Sequence, residues 1–188
     1  MLIKTVFSGF GGQGVLMMGY ILAVSAMQDG MHVTYLPAYG AEVRGGTANC
    51  TVSISDEDIA SPVASSPDYV IAMNKPSLIR YEGQIKPKGT LFLNSDLVDI
   101  DPKREDIMVF KIPANTIAKK LGSERAINMI MLGALSTRTK ITSIDSLING
   151  LTEVIKAKSA KQMGINKKGL EMGAKYVLKE HKYACQRD

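Results

Sequence analysis

Two short glycine-rich segments hold the residue types best suited to bind an anion, and the first is GFGGQG at residues 9–14. It has the spacing Gly-x-Gly-x-x-Gly and lies between an apolar, β-branched run and a long apolar run. Glycines in such a turn allow backbone N–H groups to point outward at the start of a helix, where negative charge is stabilised. The spacing therefore predicts an anion-binding turn at Gly11, Gly12, Gln13 and Gly14. Close packing of a strand, a helix or another chain against these glycines is the alternative explanation.

The second segment is EVRGGTANC at residues 42–50. In this segment Arg44 precedes Gly45 and Gly46, so its guanidinium is expected on an exposed turn. There it can hold a phosphate or a carboxylate through paired hydrogen bonds. Pairing of Arg44 with Glu42, or with a carboxylate of a partner subunit, is an equal alternative.

Both glycine segments follow strand-like runs, and α/β folds bind their ligands beyond the strand ends. We therefore predict that Gly11–Gly14 and the stretch from Arg44 to Asn49 form one shared surface. Two loops that are stabilised independently of each other are the alternative.

Other catalytic or metal chemistry lacks the residues it would need. A dinucleotide-binding turn is usually followed, about 20 residues later, by an acidic residue that holds the ribose. Here the second strand-like run ends in LPAY, and the next acidic residue is Glu42. Cys50 and Cys185 are too few thiolates for an iron–sulfur cluster, and neither His32 nor His181 belongs to a recognisable triad. We predict no catalytic residue and no metal ligand in this chain.

Apolar periodicity and turn residues divide the chain into alternating strand-like and helix-like runs. The predicted strands cover 2–8, 31–37, 47–55, 69–74, 90–96 and 106–113, and the predicted helices cover 15–28, 76–85, 114–122, 123–139, 142–158 and 165–181. The first strand, the glycine turn, the first helix and the second strand predict a βαβ unit with a parallel pair. We therefore predict a three-layer, Rossmann-like α/β domain with a mostly parallel sheet. Gly169 and Gly173 are unfavourable inside the last helix.

Length, composition and charge restrict the class of protein. With 188 residues, of which 45% are hydrophobic, the chain is expected to form one domain at 1–180 and a frayed tail at 181–188. It has no apolar run of membrane-spanning length and no signal-peptide pattern, so we expect a cytoplasmic protein without a membrane partner. Much of the net charge of +5 lies from Lys156 through Lys182, where lysines alternate with apolar residues. That pattern favours a solvated face, or one that meets an acidic partner, over nucleic-acid binding.

Three segments resemble the gamma subunit of 2-oxoacid:ferredoxin oxidoreductases. They are FSGFGGQGVLMMGYILAVSAM at 7–27, YLPAYGAEVRGGTANCTVSISDEDIASP at 35–62 and PDYVIAMNKPSL at 67–78. The stretch AINMIMLGAL at 126–135 and the helix that contains 166–173 are also similar to the family. The second segment looks closest to the 2-oxoglutarate branch, and the resemblance covers most of the chain.

The resemblance implies a fold like domain III of pyruvate-ferredoxin oxidoreductase and a role in an oxidoreductase of class EC 1.2.7. The assembled enzyme would convert 2-oxoglutarate, coenzyme A (CoA) and oxidised ferredoxin into succinyl-CoA, carbon dioxide and reduced ferredoxin. Thiamine diphosphate, magnesium and the iron–sulfur clusters would belong to alpha, beta and sometimes delta subunits. The gamma chain would hold no cofactor and would not be catalytic alone.

The same resemblance implies that Gly11, Gly12, Gln13 and Gly14 face the cleft that receives CoA. Arg44, Gly45, Gly46 and Asn49 would line the same edge, in contact with CoA or with a neighbouring subunit. A purely architectural subunit, a stand-alone dinucleotide-binding oxidoreductase and a basic nucleic-acid-binding module are the alternatives.

Overall fold

The computed structural model describes residues 1–39, 46–155 and 160–184, with no side-chain detail at 39 or 180–184. Six β-strands lie in these ranges: β1 Leu2–Phe10, β2 His32–Tyr39, β3 Thr47–Ser55, β4 Tyr69–Ala72, β5 Thr90–Asn94 and β6 Met108–Ile112. The α-helices of the same ranges are α1 Val15–Gln28, α2 Lys75–Tyr81, α3 Ala114–Lys120, α4 Ile127–Thr139, α5 Ile144–Val154 and α6 Ala160–Ala184. Short 3-10 turns at Glu82–Gln84 and Glu124–Ala126 follow α2 and precede α4.

The six strands form one mixed sheet in the order β2-β3-β1-β4-β5-β6. The pairs β1–β4, β4–β5 and β5–β6 are parallel, whereas β3 is antiparallel to both of its neighbours, β1 and β2. Every strand except β3 therefore points the same way, which confirms an α/β fold with a mostly parallel sheet.

The predicted direct pairing of the first two strands is wrong. Strands β1 and β2 point the same way, but β3 lies between them and pairs with both. The connection from β2 to β3 is short enough for an antiparallel hairpin, so these two strands pair with each other. The other edge of β3 pairs with β1. This insertion brings Thr47, the first residue of β3, opposite Phe10, the last residue of β1.

Helices cover both faces of the sheet, because successive strand residues point to opposite sides. On one face, Phe7 of β1 belongs to a core shared with α1, α4, α5 and α6. On the other face, Val6 belongs to a smaller core with Leu78 and Tyr81 of α2. The chain therefore leaves β1 and β4 toward opposite faces, and a crevice opens between their carboxyl ends.

Helix α6 begins earlier than predicted, and its glycines have a packing role. A Cβ on Gly173 would lie 1.9 Å from the carbonyl oxygen of Ile130 in α4. One on Gly133 of α4 would lie 2.1 Å from the carbonyl oxygen of Leu170 in α6. The two helices thus touch through their backbones, which explains glycines that are unfavourable for an isolated helix.

None of the described helices is both long and apolar enough to cross a bilayer. Of the expected tail at 181–188, residues 181–184 form the last turn of α6, and 185–188 lie outside the described residues.

Candidate functional site

The first glycine segment contacts the residue that precedes β3 at one end of the sheet. The N–H of Gly11, just after β1, donates a hydrogen bond to the carbonyl oxygen of Gly46, just before β3, at 2.9 Å. Asn49 lies further along β3, opposite Ser8. Arg44 and Gly45 lie outside the described residues.

The turn at Gly11–Gly14 is held from inside by the side chain of Gln13. Its Oε1 accepts hydrogen bonds from the backbone N–H of Phe10 at 2.7 Å and from Nδ2 of Asn74 at 3.2 Å. The backbone N–H of Gln13 donates to the carbonyl oxygen of Phe10 at 3.1 Å. The carbonyl of this side chain therefore fixes the shape of the turn.

Two positions in the turn require glycine. Gly12 and Gly14 have φ angles of 97° and 73°, in the left-handed region that side chains rarely adopt. A Cβ on Gly14 would also lie 2.3 Å from Nδ2 of Asn128 in α4. Neither N–H of these two glycines donates a hydrogen bond to any residue within the described ranges.

A cleft of about 430 Å³ lies beside the turn, beyond the carboxyl ends of β1, β4 and β5. Its lining residues come from the turns, the strand ends, α3 and the start of α4: Gly12, Gln13, Gly14, Met73, Leu97, Asn115, Glu124, Arg125, Ile127 and Asn128. Three of the predicted residues, Gly12, Gln13 and Gly14, are thus brought into the cleft. Gly11, Gly46 and Asn49 lie at the same end of the sheet but are not among its lining residues. The cleft occupies the crevice where α/β folds place their ligands.

Sequence reasoning missed the polar side chains that complete this cleft. Asn128 donates from Nδ2 to the carbonyl oxygen of Gly14 at 3.5 Å, and its Oδ1 accepts from the backbone N–H of Met129 at 3.0 Å. Nδ2 of the fully buried Asn94 donates to Oδ1 of Asn115 at 2.8 Å. Asn94 is the last residue of β5, and Asn74 lies two residues after the end of β4. An amide at the carboxyl end of a buried strand was the signal that could have identified both.

The charged residues of the cleft lie at its rim. Glu124 and Arg125, both exposed, line the cleft in the turn that precedes α4. The described lining of the cleft thus has one carboxylate, on Glu124, and one guanidinium, on Arg125. An anionic ligand in the cleft would pair with the guanidinium of Arg125.

Cys50 and His32 do not contribute to the cleft. The Cys50 thiol is buried beneath α1, and this burial raises its pKa to about 12, so the thiol stays protonated. Nδ1 of His32, the first residue of β2, lies 3.0 Å from a carboxylate oxygen of Asp58. His32 pairs with Ser55, at the end of the sheet opposite the turn. No cluster of three or more His, Cys, Asp or Glu that could hold a metal lies in the described part of the chain.

Comparison with known proteins identifies the family of the chain. The family model described as pyruvate ferredoxin/flavodoxin oxidoreductase matches residues 4–176. The ketoisovalerate oxidoreductase subunit VorA of Methanothermobacter marburgensis is 38% identical over 179 residues, which cover 94% of this chain but only 37% of VorA. The 2-oxoglutarate synthase subunit KorC of the same organism is 38% identical over 145 residues, 73% of this chain and 77% of KorC.

A solved structure agrees with this assignment. The gamma subunit of a keto/oxoacid ferredoxin oxidoreductase from Geobacter sulfurreducens superposes with a TM-score of 0.79 at 28% identity. The match covers 94% of this chain and 98% of that subunit. The chain therefore belongs to the pyruvate ferredoxin/flavodoxin oxidoreductase family.

Proposed function

We propose that this chain is the gamma subunit of a cytoplasmic 2-oxoacid:ferredoxin oxidoreductase and that it is active only with alpha and beta subunits, and in some complexes delta. The observation that carries the proposal is the near-complete match, in both directions, to a gamma subunit of that enzyme class. In the complex, thiamine diphosphate and iron–sulfur clusters on the partner subunits supply the carbanion and electron-transfer chemistry, and ferredoxin accepts the electrons.

We further propose that the cleft forms part of the surface that receives CoA. The free N–H groups of Gly12 and Gly14 lie at the start of the 14-residue helix α1, where the helix dipole stabilises anions. Arg125 adds a cation at the rim. The family resemblance implies a second cation at Arg44, which lies outside the described residues. The phosphates of CoA match this combination of backbone donors and guanidinium groups.

The amide side chains give the same cleft hydrogen-bonding capacity without charge. Asn115 and Asn128 line it, and each can both donate and accept. The gamma chain would thus bind and orient CoA, and thiamine diphosphate held by a neighbouring subunit would supply the acyl-transfer chemistry.

For the substrate we propose 2-oxoglutarate, in line with the resemblance around residues 35–62 and with the similarity to KorC. Ketoisovalerate is the second candidate, because VorA from the same organism is 38% identical to this chain, as KorC is. The match spans 37% of the length of VorA and 77% of the length of KorC.

Purification of the tagged chain from its native cells would test the subunit proposal. We expect stoichiometric larger subunits that carry thiamine diphosphate and iron, and dye reduction that depends on CoA and on one 2-oxoacid. Assays with 2-oxoglutarate, ketoisovalerate and pyruvate would identify that 2-oxoacid. A lone chain that binds NAD or RNA by itself would contradict the proposal.

Substitutions in the assembled complex would test the CoA contact separately. We expect Arg125→Gln and Arg44→Ala to raise the KM for CoA while subunit composition and the KM for the 2-oxoacid stay unchanged. Lys103→Gln is the matched control, because it removes one positive charge from an exposed position outside the cleft. An unchanged KM for CoA in both arginine variants would contradict the proposal that the cleft binds CoA. It would leave the proposal that the chain is a gamma subunit unaffected.

A further inference from the structure

A second concave surface lies between the end of α3 and the start of α6. Its volume is about 460 Å³, and its lining residues are Lys120, Leu121, Gly122, Lys161, Gly164, Ile165 and Lys168. We call it the basic groove. It shares no lining residue with the cleft, although the turn at 122–124 passes from one to the other.

The basic groove carries charge of one sign only. Lys120, Lys161 and Lys168 are exposed, and none of them forms an ion pair with a carboxylate in the described part of the chain. The sequence has no acidic residue between Glu153 and Glu171. Unpaired like charges at one site repel one another, so a bound partner with negative charge would relieve that repulsion.

The floor of the basic groove is apolar and fixed. Leu121 and Ile165 are half-buried and pack against the main core beneath the sheet. A Cβ added to Gly164 would meet no atom within 4 Å, so open space lies above this part of α6. A solvated helix face needs no such recess, because its lysines extend directly into water.

We propose that the basic groove docks an acidic segment of a partner protein. Carboxylates of that segment pair with Lys120, Lys161 and Lys168, and one apolar side chain rests on Leu121 and Ile165. Nucleic acid fits less well, because the lining contains no aromatic ring for base stacking and no arginine for paired phosphate contacts. The inference concerns a surface outside the cleft and does not depend on CoA or on the 2-oxoacid.

Binding of a labelled peptide of ten glutamates with one central leucine to the full chain would test this inference by fluorescence anisotropy. Replacing Lys120, Lys161 and Lys168 together by Gln should weaken binding about tenfold, because close charge pairs set both encounter rate and affinity. The control replaces the exposed Lys103, Lys175 and Lys179 by Gln, which removes the same net charge elsewhere. It should weaken binding roughly twofold or less, since distant exposed charges are screened by salt. Equal weakening by the two triple variants would overturn the inference.

A charge-neutral variant tests the shape of the groove. Gly164→Leu places a side chain in the open recess, so it should weaken binding of the leucine-containing peptide without loss of thermal stability. Unchanged binding would mean that the peptide does not enter the groove. Stronger, groove-dependent binding of a single-stranded oligonucleotide or of inorganic polyphosphate than of the peptide would also overturn the inference, in favour of a phosphate ligand.

Discussion

Substitution of Gly14 by Ala combines two costs that the structure separates. Gly14 has a φ of 73°, and a Cβ there would lie 2.3 Å from Nδ2 and 3.2 Å from Cβ of Asn128. Gly12, two residues earlier, has a φ of 97°, but its added Cβ would meet nothing within 4 Å. Gly12→Ala therefore measures backbone strain alone, whereas Gly14→Ala measures strain together with the displacement of Asn128.

The two terms have different sizes. A left-handed backbone costs an L-residue roughly 1–2 kcal/mol, and this term applies to both variants. Displacing the Asn128 side chain also removes its hydrogen bond with the backbone N–H of Met129, which contributes about 1 kcal/mol. We therefore expect losses of unfolding free energy of about 1–2 kcal/mol for Gly12→Ala and about 2–3 kcal/mol for Gly14→Ala.

Equilibrium urea denaturation of a double-mutant cycle would measure the coupling between Gly14 and Asn128. In an Asn128→Ala background only the 3.2 Å contact remains, so the additional cost of Gly14→Ala should fall by about 1 kcal/mol. Gly12→Ala should cost the same in both backgrounds. Equal costs for the two glycine variants, or additive effects of Gly14→Ala and Asn128→Ala, would refute the reasoning.

The other predictions concern helix packing, the buried thiol and the cap of α2. Gly173→Ala should lower the unfolding free energy by about 1–3 kcal/mol, because its Cβ meets backbone, whereas Gly164→Ala should raise it by about 1 kcal/mol. Because burial raises the pKa of Cys50 to about 12, iodoacetamide at pH 8 should label it only after unfolding, as read by peptide mass spectrometry. Asn74→Ala removes the cap of α2 and the amide donor to Gln13, so thermal unfolding should show a loss of about 2 kcal/mol.

Each of these predictions has a defined failure. Equal stabilities of the two α6 variants would mean that α4 and α6 do not touch through their backbones. Labelling of Cys50 in the folded protein would show that α1 does not cover it. Asn74→Ser keeps a capping oxygen but lacks the amide, so a cost as large as that of Asn74→Ala would assign the effect to Gln13 alone.

The glycine turn, and the strand ends that lie next to it, could be predicted because residues close together in the sequence determine them. Glycine spacing between a strand and a helix indicates the turn at Gly11–Gly14, and short connections bring successive strand ends together. The position of β3 between β1 and β2 was not predictable in the same way. A glycine turn followed by a helix is compatible with a direct parallel pair and with an inserted antiparallel strand, and only long-range pairing decides between them.

The side chains that shape the cleft could not be predicted from the sequence for a related reason. Gln13 was expected to face a ligand, and it lines the cleft, but its carbonyl oxygen is held by Asn74, 61 positions away. Asn128, which limits position 14 to glycine, is 114 positions from it. Asn74 is the N-cap of α2, and Asn128 is the second residue of α4. At such positions the sequence pattern indicates only a helix cap or a core residue, not a contact with a distant turn.

These distant contacts give the turn a fixed form before any ligand arrives. The Gly11 N–H bonds to Gly46, Gln13 bonds to Asn74, and Gly14 lies against Asn128, so three separate parts of the fold hold one short turn. An anion that binds to the free N–H groups of Gly12 and Gly14 therefore does not have to order the loop, and its affinity is not reduced by that entropic cost. Backbone N–H groups that become buried in a complex need an acceptor, and the phosphates of a bound ligand can supply one without rearranging the turn. This preorganisation is the physical reason to favour a ligand-binding role for the cleft.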